Sequence, residues 1–345
     1  MKSTIHEHQK NNFKIVSKNQ FKNIGILLLA SLAFTSCSDD DKAADTIYRP
    51  STGEWLALRN DALDNITQNF TFNAEDGPAT FTTAKGVQLT INGNCLTKNG
   101  NPVTGTVQLE YAEVFDPGTM LVTDKTTMGR LPNGDMALII SGGEFYINAT
   151  QGGVQLDITC SMQLLIPSSL TGGADPGMSL WDGTIDENGN LDWDEQEPGA
   201  GGPQGGVFTE GQGANAPYYA FLNDFGWTNV DRFYSNPGPK TTILAEVPTG
   251  YNFQNSAVYL HYDGEGSALA KLDTFNSGTN QFSEHYGQVP IGLQMHVIFV
   301  TEDNGNYRYA IKAVTVGAGD VYVFTDAETT LGTEAQLVAA INALP

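Results

Sequence analysis

Apolar and polar residues alternate along much of the chain from residue 69 onward. The segment 87–91, Val-Gln-Leu-Thr-Ile, places an apolar side chain at every second position, which is the period of a strand with one buried face. The same alternation occurs at 70–72, 107–111, 145–149 and 154–158. Short Gly-, Asn- and Pro-rich segments separate these runs, as at 98–102. The pattern predicts an antiparallel β-sandwich over residues 51–170.

The strand pattern resumes after residue 217. Alternating or wholly apolar runs lie at 241–245, 257–262, 295–300, 307–316 and 321–324. The polar segment 302–306 predicts a hairpin between the runs on either side of it. We therefore expect a second antiparallel β-sandwich over residues 218–345, and a mainly β fold.

Two short helices are predicted at the ends of this β-rich region. Ser51 and Glu54 have the spacing of a capping box, and apolar residues follow at helical spacing, which predicts a helix at about 54–66. Leu337, Val338 and Ile341 predict a second helix at about 333–343.

Residues 171–217 are rich in Gly, Pro and acidic residues and are predicted to be a linker, because such a composition buries little apolar surface. Within it, 181–185 and 191–193 flank an Asn188-Gly189 pair, which is a strong hairpin signal.

The amino end resembles an export signal. Residues 2–22 contain five Lys and one Glu, and an apolar run follows at 24–34. This run is shorter than the roughly 20 residues that a membrane-spanning helix needs. Thr35-Ser36-Cys37 resembles a lipobox, which is cleaved directly before a diacylated cysteine. The sequence thus predicts a signal peptide at 1–36, a lipid-bearing Cys37 and an acidic tether at 37–50.

The residues after Cys37 resemble a surface-export signal. Ser38, Asp39, Asp40 and Asp41 are similar to the serine and aspartates that direct Bacteroidota lipoproteins to the outer face of the outer membrane. The resemblance implies a lipid-anchored protein that faces the cell exterior. The other interpretation is a solvated charge run within a tether.

The mature chain is strongly acidic. The full chain has 17 Lys and Arg against 39 Asp and Glu, and removing residues 1–36 takes away five Lys and one Glu, which leaves a formal charge of −26. A chain without a basic face is not expected to bind nucleic acid, because it cannot displace phosphate counterions.

Three cysteines are present. With Cys37 assigned to lipid, Cys95 and Cys160 remain in an oxidising compartment. Two alternatives are open, a disulfide between them or two separate buried thiols, because the sequence does not establish the distance between their Cα atoms.

An acidic segment at 186–197 has oxygen-bearing side chains at spacings typical of a calcium-binding loop. The candidate ligands are Asp186, Asn188, Asn190, Asp192 and Glu197. Leu191 occupies the position where such a loop has Gly, and the competing interpretation of the segment is a simple hairpin.

Catalytic signals are weak. We find no Gly-x-Ser-x-Gly and no His-Glu-x-x-His, and His261 and His296 lie within predicted strands, where a core or surface role is common. Asp224, Asp231 and Glu284 lie near aromatic residues, as carboxylates of a glycan hydrolase do, although Trp227 and Phe233 also fit a hydrophobic core.

Several segments resemble a family of surface-exposed Bacteroidota lipoproteins with tandem β-sandwich domains. The resemblance lies in 86–91, 101–105, 120–121, 141–145, 226–233 and 289–292. It implies architecture and location but no catalytic motif. We therefore expect a non-catalytic module that binds an outer-membrane partner protein or an extracellular glycan, with a surface glycan hydrolase as the alternative.

Overall fold

The computed structural model describes residues 47–186, 189–197, 206–209, 213, 215–284 and 286–345. Three helices lie in this part of the chain, α1 (Thr52–Ile66), α2 (Pro117–Thr123) and α3 (Glu334–Asn342). The capping box that predicted α1 is formed, since Ser51 Oγ accepts the Glu54 N–H and the Glu54 carboxylate accepts the Ser51 N–H. The two predicted helices are thus confirmed, and α2 is an addition.

The strands of the first half of the chain are short apart from β6, β8 and β12. They are β1 (Gln68–Asn73), β2 (Pro78–Thr82), β3 (Gln88–Asn92), β4 (Leu96–Lys98), β5 (Asn101–Pro102), β6 (Thr106–Val114), β7 (Met128–Arg130), β8 (Met136–Gln151), β9 (Val154–Gln155), β10 (Asp157–Ile158), β11 (Met162–Ile166), β12 (Ser179–Ile185), β13 (Leu191–Glu195) and β14 (Val207–Thr209).

The second half follows the same pattern, with β16, β19, β24 and β25 as its long strands. They are β15 (Tyr218–Leu222), β16 (Gly226–Phe233), β17 (Lys240–Thr241), β18 (Leu244–Glu246), β19 (Ser256–Tyr262), β20 (Ala270–Lys271), β21 (Thr274–Asn276), β22 (Gln281–Ser283), β23 (Val289–Pro290), β24 (Gln294–Asp303), β25 (Asn306–Thr315), β26 (Val321–Val323) and β27 (Thr330–Gly332). The predicted mainly β fold is confirmed.

The largest sheet has the strand order β1-β6-β8-β16-β12-β13-β7, and β7 also pairs with β8. The last five strands therefore close on themselves into a ring. Most pairings are antiparallel, and β13 with β7 is parallel. The second half contributes the sheets β20-β19-β24-β25-β27 and β21-β22-β18-β26.

The predicted division into two separate sandwich domains is not observed. Residues 47–345 form one compact unit, and β16, which was assigned to the second domain, lies between β8 and β12 of the first sheet. One continuous hydrophobic core contains Leu138 and Ile140 from the first half together with Leu260 and Tyr262 from the second. The alternation of residues identified the strands but did not specify which strands pair.

The predicted linker at 171–217 also needs correction. The expected hairpin is present as β12 and β13, but it is built into the large sheet, and Trp181 and Trp193 are fully buried. A Cβ atom on Gly183 would lie 2.7 Å from Trp193, so this strand glycine permits close packing. The Gly- and Pro-rich composition predicted little buried surface, although Trp181 and Trp193 are two of the largest side chains in the core.

Cys95 and Cys160 form a disulfide with a Cα–Cα distance of 5.7 Å. Of the two open alternatives, the structure therefore has the bonded one. Cys95 directly precedes β4, and Cys160 lies two residues after β10, the strand that pairs with β4. Between them, the Thr159 N–H and Oγ1–H both donate to the Cys95 carbonyl.

The predicted lipid anchor and export signal, at Cys37, Ser38, Asp39, Asp40 and Asp41, lie outside the described residues. Among the helices in the described ranges, none is both long and apolar enough to cross a membrane.

Candidate functional site

A cleft of about 280 Å³ lies beside β20 and β21, where α1, the loop before β19 and the β12–β13 hairpin meet. Its polar lining includes Arg59, Asn190, Lys271 and Asp273, and its apolar lining includes Phe253, Phe275 and Phe282. The volume lies just below the range of typical small-molecule sites, which is roughly 300–1,000 Å³.

A buried ion cluster forms one wall of the cleft. Arg59 Nη1 and Lys271 Nζ donate to Asp124 Oδ2 at 2.7 and 3.0 Å, and the hydroxyl of Tyr259 donates to Asp124 Oδ1 at 2.6 Å. Arg59 Nη2 also donates to the Tyr259 oxygen at 2.9 Å. One carboxylate thus holds two cations that come from a helix and a strand about 200 residues apart in sequence.

The charges within the cluster shift the pKa values of Asp124 and Lys271. Burial alone would raise the pKa of Asp124, but the charges of Arg59, Lys271 and Lys125 outweigh burial and lower this pKa to about 2. Burial lowers the pKa of Lys271, and the charge of Asp124 opposes that shift.

The backbone explains why these residues meet. Arg59 lies one turn after Trp55 on α1, and its guanidinium stacks on the Trp55 ring at 4.0 Å. Asp124 ends α2 in the left-handed conformation, with φ 54° and ψ 38°, which Asp tolerates better than most residues. Lys271 pairs with Tyr259 across β20 and β19.

Both cations retain hydrogen-bond donors. Arg59 Nε has no hydrogen-bond partner among the described residues. Lys271 Nζ uses two of its three N–H groups, one for Asp124 and one for Asn190 Oδ1 at 2.8 Å. Both residues line the cleft, and because Arg59 Nε is buried, the third N–H of Lys271 is the donor left for a polar ligand.

Aromatic rings form a second part of the cleft lining. Phe253 is 52% exposed, which is unusual for a phenylalanine, and its ring centroid lies 6.5 Å from that of Phe275. Phe275 in turn packs on buried Phe282 at 4.9 Å. Asn255 fixes the loop that carries Phe253, because its side chain donates to the carbonyls of Gly250 and Pro50.

The predicted calcium loop does not form an EF-hand-like arrangement. Asn190 donates to both Asp186 oxygens, and Arg130 donates to Asp192 at 2.9 Å. Asp192 lies within β13, and exposed Glu197 lies two residues beyond the end of that strand. An extended strand rises about 3.3 Å per residue, so β13 carries the chain away from Asp192 before it reaches Glu197. The geometry is that of the competing hairpin interpretation, and Asn188 lies outside the described residues.

The carboxylates considered for glycan hydrolysis do not share a site. Asp231 is fully buried next to Glu144, whereas Asp224 is exposed near Asp182. Glu284 is buried elsewhere and accepts the N–H groups of Gly287 and Gln288.

The aromatic residues near these carboxylates belong to the core. Trp227 packs with Trp181 and Trp193, and Phe233 contacts the same cluster. The structure thus favours the core interpretation of Trp227 and Phe233.

Sequence reasoning did not identify the cleft. Arg59 lies on the polar side of a predicted helix, Lys271 lies outside the predicted strands, and Phe253 lies in a loop. The one local signal is Phe253, an aromatic residue among polar loop residues. It does not by itself indicate a cleft, because the other lining residues come from distant parts of the chain.

Comparison with known proteins adds no family assignment, because no family model, curated protein or solved structure matches this chain.

Proposed function

We propose that this chain is a surface-exposed outer-membrane lipoprotein, anchored through Cys37, that binds an extracellular glycan in the cleft between Phe253 and Lys271. The observation that carries the proposal is the contact between exposed Phe253 and half-buried Phe275, which line the same cleft as Arg59 and Lys271.

The aromatic side of the cleft suits a sugar ring. The C–H faces of a pyranose are apolar and flat, so they bury well against exposed phenylalanine rings. Phe253 would gain most, because half of its surface is exposed without a ligand. The volume of about 280 Å³ fits one or two sugar rings of a longer chain that continues into solvent.

The polar side favours a neutral glycan over an anion. Arg59 and Lys271 are the cations of the lining, but both bind Asp124 and share the lining with Asp273, so carboxylates compete with an anionic ligand for them. Sugar hydroxyls both donate and accept hydrogen bonds, and this wall offers N–H donors beside the Asp273 carboxylate.

A binding function agrees better with this site than glycan hydrolysis does. A hydrolase needs two carboxylates at a set separation across the scissile bond. Among the residues that line this cleft, Asp273 is the one carboxylate, and the other candidate carboxylates lie in different parts of the fold.

Affinity electrophoresis tests the proposal on the full chain purified in detergent. The gels would contain α-glucan, β-glucan, mannan or galactan, with alginate as an acidic comparison. We expect retardation by at least one neutral polysaccharide. Phe253→Ala should weaken this binding roughly tenfold, or about 1.4 kcal/mol. Leu331→Ala, which alters a side chain that is 50% exposed and outside the cleft lining, should not weaken it. Equal retardation of both variants, or none on the neutral gels, would contradict the proposal.

A further inference from the structure

Two histidines and an aspartate meet at the end of β19. His261 of β19 and His296 of β24 are directly paired across the two strands, and Asp263 follows β19 by one residue. Asp263 Oδ1 lies 2.7 Å from His296 Nδ1 and 3.8 Å from His261 Nδ1. The potential ligand atoms of the three residues all lie within 4.8 Å of one another.

One member of this cluster is buried and incompletely satisfied. His261 is 1% exposed, and its Nδ1 has no hydrogen-bond partner among the described residues. A buried polar atom without a partner costs roughly 1–3 kcal/mol. Its nearest acidic oxygen is that of Asp263, so the nitrogen points towards the space between the three side chains.

The distances fit a small metal ion. With bonds of about 2.0–2.1 Å to nitrogen and oxygen, two ligands of a tetrahedral zinc ion lie roughly 3.4 Å apart. The two distances, 2.7 and 3.8 Å, bracket this value, and all three ligand atoms lie within 4.8 Å of one another, so side-chain rotations that move these atoms by roughly 1 Å would place both imidazoles and the carboxylate around one ion.

We propose that His261, Asp263 and His296 form a binding site for a divalent transition-metal ion, with zinc as the best match. Two imidazoles select such an ion over Ca²⁺ and Mg²⁺, which prefer oxygen ligands. Three protein ligands leave one position of a tetrahedral ion open. The side chains of Asp263 and His296 are 21% and 12% exposed, so solvent reaches that position.

The competing arrangement is a hydrogen bond between His296 and Asp263 with no role in metal binding. Asp263→Asn separates the two, because the amide keeps the shape and a hydrogen bond to His296 but loses the charge that a metal ligand needs. His261 is unsuitable for substitution, since removing a fully buried ring would disturb the core.

Calorimetric titration of the full chain in detergent tests this proposal. The protein is first treated with a chelator, and Zn²⁺ is added in the presence of excess Mg²⁺, which occupies the acidic surface. We expect the heats to fit one saturable Zn²⁺ site. Co²⁺ bound in place of Zn²⁺ should show the visible absorption bands of tetrahedral coordination. His296→Ala and Asp263→Asn should each weaken Zn²⁺ binding at least a hundredfold.

Asp157→Asn is the matched control for Asp263→Asn, because it removes an exposed carboxylate outside the three-residue cluster and should leave the affinity unchanged. Circular dichroism verifies that each variant is folded. Metal binding of equal strength in His296→Ala, Asp263→Asn and the unaltered protein would overturn the proposal, as would the absence of a saturable heat in the unaltered protein. Neither result depends on whether a glycan binds at Phe253.

Discussion

Arg59 Nη1 and Asp124 Oδ2 form an ion pair of 2.7 Å between side chains that are 12% and 7% exposed. Lys271 shares the same carboxylate. A buried carboxylate that neutralises two cations is more important for stability than a surface ion pair, because its removal leaves two charges in a medium of low polarity. This cluster connects α1, the end of α2 and β20 behind the proposed glycan cleft.

The first prediction concerns the stability that this cluster provides. Asp124→Ala should lower the free energy of unfolding by about 3–5 kcal/mol at pH 7, as measured by urea denaturation. Asp194→Ala is the control, because the Arg130–Asp194 pair is 38% and 48% exposed and should contribute less than about 1 kcal/mol.

The pH dependence gives a second measurement on the same variant. The pKa of Asp124 is lowered from 3.8 to about 2, so its stabilisation is complete above pH 3.8 and is lost as the pH falls towards 2. The difference between Asp124→Ala and the unaltered protein should therefore be constant from pH 7 to about 5 and shrink below 4. A difference that grows on acidification would show that this ion cluster is not the cause.

The second prediction concerns membrane anchoring, which rests on sequence alone. Cys37→Ala should release the protein from the membrane fraction or block cleavage of the signal peptide, because two acyl chains are needed for stable anchoring. Fractionation followed by immunoblotting measures both effects. A Cys37→Ala protein that is cleaved normally and stays in the membrane would contradict the lipoprotein assignment.

The third prediction concerns surface exposure. Replacing Asp39, Asp40 and Asp41 with Ala should leave acylation intact but protect the protein from protease added to whole cells. Disruption of the outer membrane before protease treatment is the control, since it should make both forms equally accessible. If the unaltered and substituted proteins are cut equally on whole cells, the acidic run is a tether and not an export signal.

Local signals in the sequence predicted elements well. The capping box at Ser51 and Glu54 marks the observed start of α1, and the alternation at 87–91 lies almost entirely on β3. The hairpin around Gly189 is present as well. Each of these features depends on residues within a few positions of one another, so one sequence is sufficient to reveal them.

Long-range pairing is what the sequence did not reveal. Insertion of β16 between β8 and β12 merges the two expected domains, and no local feature of 226–233 specifies those neighbours. The cleft also depends on long-range pairing, because its lining residues Arg59, Asn190 and Lys271 come from three segments that are distant in sequence. His261 and His296 form a cluster because of the register of β19 with β24, which two separate alternating runs do not determine.

The fourth prediction concerns the disulfide, which joins positions 65 residues apart. By the loop-entropy relation, a cross-link of this length stabilises the native state by about 4 kcal/mol. Cys95→Ser with Cys160→Ser should lower the stability by up to that amount, as measured by urea denaturation. Reducing agent should destabilise the unaltered protein similarly and leave the double variant unchanged. Two titratable thiols at these positions in the unfolded, unreduced protein would contradict the bond.

The last prediction concerns Glu144, which is fully buried and whose two carboxylate oxygens have no hydrogen-bond partner among the described residues. Burial raises its pKa well above 4.5. A carboxyl with a raised pKa favours the folded state fully below its unfolded pKa, and this contribution is lost as the pH rises. Glu144→Gln, which cannot ionise, should therefore stabilise the protein by about 1–3 kcal/mol at pH 8 and change little at pH 4. Glu197→Gln is the control, because it alters an exposed carboxylate beyond the end of β13. Thermal unfolding of both variants at the two pH values makes the comparison, and equal shifts for Glu144→Gln at pH 4 and pH 8 would refute the assigned ionisation.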